Sequence, residues 1–113
     1  MKKAESVIIL ALLTLLAARS APAIEAGAAC LDITPRTGLP MIGFSSRVAQ
    51  SVLDSLHVRA LVFRDGEHSV GFVVYDLLFP FNDKINTEMR RIIRERTGLA
   101  EVVFSATHTH SGP

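Results

Sequence analysis

Several scarcities bound this sequence before any motif is considered. It has one cysteine, Cys30, in 113 residues, so no internal disulfide can staple it. It has almost no excess of either charge, with 12 Lys and Arg against 11 Asp and Glu. A chain so balanced is not an electrostatic nucleic-acid binder. Its longest apolar segment, Val7 to Ala18, is interrupted by Thr14 and is short for a membrane span. Beyond that segment no basic amphipathic helix with exposed aromatics appears, which argues against a peripheral membrane protein. There is no internal repeat or low-complexity tract.

The chain opens with the layout of a secretory signal peptide over residues 1–23. Lys2 and Lys3 give the positive start, Val7 to Ala18 the apolar centre, and Ala21-Pro22-Ala23 the small-residue cleavage pattern. The other reading is an uncleaved N-terminal anchor. Cleavage would leave nine basic and ten acidic residues, a net charge of −1. The expected location is secreted or periplasmic, with no stable membrane span once the leader is removed. Cys30 has the small neighbours of a lipoprotein acceptor site, but no leucine stands three residues before it. It is therefore read as a small buried hydrophobe.

The rest of the chain predicts an α/β fold. Ala26 to Thr34 reads as a first strand closed by Pro35. An irregular stretch follows, dense in glycine and proline, in which Ser45 and Ser46 are read as turn residues. Leu56 to Phe63 reads as a strand, Asp65-Gly66 as a hairpin turn and Ser69 to Leu77 as the partner strand. That partner is apolar on both faces, which predicts a central strand covered on both sides. Asp76, near its end, is read as a loop or cap hydrogen-bonding group, or as a support for a site. His57 is ambiguous, and His68 at the hairpin tip is expected in solvent.

Asn82 to Thr97 is the clearest helix. Ile85, Met89, Ile92 and Ile93 form one stripe, Asn82 or Asp83 can cap the start, and Gly98 can close the end. Lys84–Glu88 and Arg91–Glu95 are spaced as ion pairs, and the cluster of Arg90, Arg91, Arg94 and Arg96 is read as a solvated face. Val102-Val103-Phe104 is a short buried strand. The whole predicts a β-hairpin plus a right-handed βαβ unit in a mixed sheet, the N-terminal part of a larger domain over residues 24–113. Parallel strands would bring Asp76 and the end of the chain to one edge.

That end is Thr107-His108-Thr109-His110-Ser111-Gly112-Pro113. An extended backbone there would put both imidazoles on one face and both threonines on the other. Neutral imidazole is the commonest protein metal ligand, and strand ends are where α/β proteins place their chemistry. A surface pair, or histidines bonded within a loop, remains open on spacing alone.

The stretch Ser105 to Pro113 resembles the hallmark of the neutral/alkaline, non-lysosomal ceramidase family, in its N-terminal catalytic domain. Asp32-Ile33-Thr34-Pro35 is similar to that family's opening strand, and Met41-Ile42-Gly43-Phe44-Ser45-Ser46 to its Met-x-Gly-Tyr-Ser-Ser segment. Arg59-Ala60 and Asp76-Leu77 follow in the expected order. The resemblance implies a zinc-dependent amide hydrolase that cleaves ceramide, a lipid-like amide, to sphingosine and a fatty acid. It implies His108 as a Zn2+ ligand and His110 as a catalytic residue beside the metal. Leu53 stands where the family often has a histidine. The family's other zinc ligands (a histidine, a glutamate and a tyrosine) come far downstream of the motif. The expectation is thus a fragment, inactive or nearly so alone. The competing expectation is a non-catalytic secreted module or truncated remnant that keeps the fold.

Overall fold

Four β-rich stretches and one helix-rich stretch in the sequence become a four-stranded mixed sheet with a helix on one face in the computed structural model, which describes residues 23–43 and 47–113. The leader reading therefore lies outside the described residues except for Ala23, as do Ser45 and Ser46. The strands are β1 (Glu25–Asp32), β2 (His57–Asp65), β3 (His68–Tyr75) and β4 (Glu101–Ala106), with helix α1 (Asp83–Thr97) between the last two. They lie in the order β1-β2-β3-β4. The first two pairings are antiparallel and β3-β4 is parallel. No helix among the described residues is long and apolar enough to cross a membrane, which says nothing of a β-barrel.

The local chemistry accounts for the elements. Asp65 pairs with His68 around a tight turn in which Gly66 takes a φ of +58°, open to glycine without a Cβ clash. His68 thus joins β3, where it remains exposed. Asn82 is the helix N-cap; its side chain accepts from the Ile85 N–H at 3.1 Å, a bond worth about 1 kcal/mol. Gly98 closes the helix in the left-handed conformation and donates its N–H to Arg94 O. Arg91 pairs with Glu95, as spacing predicts, but Glu88 also goes to Arg91.

The core sits between the helix and one sheet face. Tyr75, Leu78, Leu99 and Val102 are its buried apolar residues. Tyr75 packs edge-on against Phe81, with ring centroids 5.2 Å apart, and stacks with Phe104 at 6.1 Å. Gly71 is buried because Leu99 lies against its Cα. Arg90 is exposed, as expected of a solvated face, and still makes two contacts to β4. Its guanidinium lies 5.1 Å from the Phe104 ring centre and donates to Val102 O at 3.1 Å, covering part of an edge strand.

Two expectations fail on the opposite face. β3 is central, but only its helix side is covered among the described residues. Phe72 is 41% exposed, with Leu61, Phe63 and Val103 also open. Cys30 is exposed rather than buried, because it sits on edge strand β1 opposite Arg59, with no layer packed over that strand among the described residues.

Candidate functional site

The strand register delivers polar residues to one edge of the sheet. Tyr75 pairs with Ala106, so Asp76 and Thr107 leave their parallel strands side by side, and Thr107 N–H donates to Tyr75 O at 2.9 Å. Antiparallel β2 begins at the same edge. Its His57 O accepts from Asp76 N–H, and its His57 N–H donates to Asp76 Oδ2 at 2.9 Å.

Asp76 resolves as a junction. Its Oδ2 also accepts from Arg59 Nη1 at 2.8 Å, and its side chain is only 16% exposed. Burial pushes its pKa up, but bonds from Arg59 and the His57 N–H, the Arg59 charge and a bond from Thr107 outweigh it, so the net shift is downward. Arg59 Nη2 also lies 3.3 Å from His57 Nδ1, which gives that ambiguous histidine a packing and hydrogen-bonding role. Asp76 meets Thr107, the residue before His108, whereas the His108 ring bonds to Leu78 O.

The two histidines come together, but by a different route from strand alternation. β4 ends at Ala106, and His108 takes a φ of +59°, the left-handed region. Histidine is among the few non-glycine types enriched there, and such positions concentrate at functional sites. The turn lays the two rings perpendicular with centroids 5.0 Å apart. His108 also packs edge-on to Phe79 at 5.4 Å.

Hydrogen bonds orient both rings. His108 Nδ1 is 2.8 Å from Leu78 O, and His110 Nδ1 is 3.3 Å from Gly43 O. A carbonyl oxygen only accepts, so each of these contacts is a hydrogen bond when the neutral ring carries its proton on Nδ1, which leaves the lone pair on Nε2. That is the arrangement metal-bound histidines use, with the second nitrogen tied to a carbonyl or carboxylate. The exposed His108 thus fits one corner of a zinc site. No group of three or more His, Cys, Asp or Glu is placed to hold a metal among the described residues.

The long β1-β2 connection supplies the other wall. Its base is closed by Ile33 N–H to Leu56 O and Leu56 N–H to Thr34 Oγ1, both 2.8 Å. Its tip folds back through Met41 N–H to Arg47 O at 2.9 Å, and Ile42 N–H donates to Gly112 O at 3.1 Å. Leu53, in the same connection, is 95% exposed and offers no ligand. A cleft of about 530 Å³ lies between this connection and Thr107, Thr109 and Ser111, and the histidines do not line it. Its polar groups are in part already engaged: Thr34 bonds Leu56, Thr109 accepts from Ser111 N–H, and Asp76 binds Arg59.

Gly43 and the Leu78 carbonyl are the ring contacts that sequence reasoning did not assign. Gly43 lay in a stretch read as irregular, and the similarity of Met41-Ile42-Gly43 to the family's Met-x-Gly segment was the one available signal; its positive φ of +100° shows only in the structure. A backbone carbonyl thirty residues away leaves no mark in a sequence.

Comparison with solved structures places this geometry in context. The chain is similar to neutral ceramidase from Pseudomonas aeruginosa, at 25% identity and a TM-score of 0.70 over 83% of its length. It is also similar to a ceramidase solved in complex with C2, at 26% identity and a TM-score of 0.68 over 80%. It spans only 16% and 15% of those chains. No protein-family model matches, and no curated protein does either. The chain is a ceramidase-like fragment in its fold: a mixed four-stranded sheet with one helix, similar to part of a ceramidase domain.

Proposed function

We propose that this chain is the part of an exported, zinc-dependent amide hydrolase that carries His108 as one zinc ligand and His110 beside it, acting on ceramide or a similar lipid amide. The observation that carries the reading is the perpendicular ring pair, with His108 anchored through Nδ1 to Leu78 O, on a ceramidase-like fold. A zinc ion held there would supply a Lewis acid and an activated water at neutral pH.

The chain's own residues have separable tasks. His108 would present Nε2 to the metal while Leu78 O holds its other nitrogen. His110, one ring away, would accept and return a proton at Nε2, or donate to the oxygen that gains charge as the amide carbonyl is attacked. Asp76 would steady the loop through Thr107. The remaining ligands would come from outside the described residues, so the chain alone would show little or no amidase activity.

Zinc calorimetry on the chain and on His108→Ala tests the reading. Weak binding that His108→Ala removes is the expected result, with no release of fatty acid from ceramide by either protein. Equal zinc binding by both would take His108 out of the site. Tight one-to-one binding that needs His108, together with turnover, would overturn only the expectation of an incomplete site. No binding by either protein favours the non-catalytic module.

A further inference from the structure

Gly43 and His110 are fitted to one another more closely than a turn requires. Gly43 has a φ of +100°, and a β-carbon built on it would overlap His110 Nδ1 and crowd the adjoining ring carbons. Any L-residue other than glycine would thus meet both backbone strain and the imidazole. The glycine's carbonyl oxygen is the group that faces Nδ1, at 3.3 Å. The close approach is held from both sides: Ile42 N–H donates to Gly112 O at 3.1 Å, two residues past the histidine, and Met41 N–H donates to Arg47 O at 2.9 Å.

From this we infer that Gly43 is a positioning residue for His110, which fixes the ring in its Nδ1–H tautomer and makes Nε2 the basic nitrogen. The effect is chemically specific. Free neutral histidine in water favours the proton on Nε2, and an acceptor at Nδ1 such as Gly43 O shifts the balance toward the other tautomer. With the proton at Nδ1, Nε2 can take a proton from a reacting group; in the other tautomer it would present an N–H instead. The catalytic meaning of this rests on the hydrolase reading, but the tautomer is measurable without any reaction.

The test is ring nitrogen and carbon NMR on the 113-residue chain in alkaline buffer, where imidazoles are neutral, with His110→Ala used for assignment. The expected His110 spectrum has a pyrrole-type Nδ1 and a pyridine-type Nε2. In Gly43→Ala the two nitrogen resonances should move toward each other or exchange, while those of His108, anchored on Leu78, stay in place. A wild-type His110 that is mainly Nε2–H overturns the inference and needs no variant that folds. So does a Gly43→Ala spectrum identical to wild type. If the tautomer follows Gly43 but zinc never engages His108, the positioning stands and the hydrolase reading fails; the reverse outcome separates them the other way.

Discussion

His108 Nδ1 stands 2.8 Å from the carbonyl oxygen of Leu78, a residue on the opposite side of the β-α-β crossover. The bond ties the turn after β4 to the loop after β3, and Leu78 is itself buried. Leu78→Ala should therefore act twice. It should destabilise the fold by about 2–3 kcal/mol, the lower part of the range for emptying a core leucine site. It should also loosen the carbonyl that orients His108, broadening that ring's NMR signals before global unfolding. Urea titration and ring NMR on one sample would check both effects; a destabilised protein with an unchanged His108 spectrum would break the link.

Gly71 and Leu99 make a second pair. A β-carbon at Gly71 would lie 2.7 Å from Leu99 Cδ2 and 3.7 Å from Val62 Cγ2. Gly71→Ala should cost about 1 kcal/mol, the low end for overpacking, since a methyl group must yield rather than backbone. In a Leu99→Ala background the same change should cost nothing or stabilise, a non-additivity visible in a double-mutant cycle.

Much of this frame was legible in advance. The 3.6-residue stripe from Ile85 to Ile93, Gly98, and the Asp65-Gly66 turn specify elements through local chemistry, and those elements are present. The βαβ order followed from their sequence. Strand ends shifted by one or two residues, because ladder pairing rather than composition decides them. The misses concern what lies between elements. Cys30 looked buried because its neighbours are small and apolar, but exposure depends on whether a layer covers β1. The histidine pair was legible as a pair, while its geometry comes from a left-handed residue at His108 that alternation cannot anticipate.

Asp76 should make the protein acid-sensitive in a defined window. Its pKa in the fold lies below the ordinary carboxylate value near ~4, because the Arg59 and His57 bonds outweigh its burial. The unfolded chain therefore takes up this proton first on acidification. The stabilisation is complete above the ordinary value and is lost as pH falls through the lower folded one. Asp32, bonded to the Thr34 side chain and N–H and held down to about 2, adds to the same window. The urea midpoint should be level near neutrality and drop below about pH 4. Asp76→Asn should lower the neutral midpoint and flatten part of that drop; an unaltered profile would remove Asp76 from its role as a junction.

Cys30 should behave as an open surface thiol. Cys30→Ser should change stability by less than about 0.5 kcal/mol, as surface substitutions do. The wild-type thiol should react with an aromatic disulfide reagent as fast in native buffer as in denaturant. A strongly protected thiol would mean that the open face of the sheet is covered in solution.

The most direct measurement is a zinc titration of the chain watched at the His108 ring nitrogens. The expected result is a coordination shift at Nε2 while Nδ1 keeps its proton and its bond to Leu78 O. A shift at Nδ1, or zinc that leaves both nitrogens of His108 unmoved, would contradict the assignment of this imidazole to a metal site.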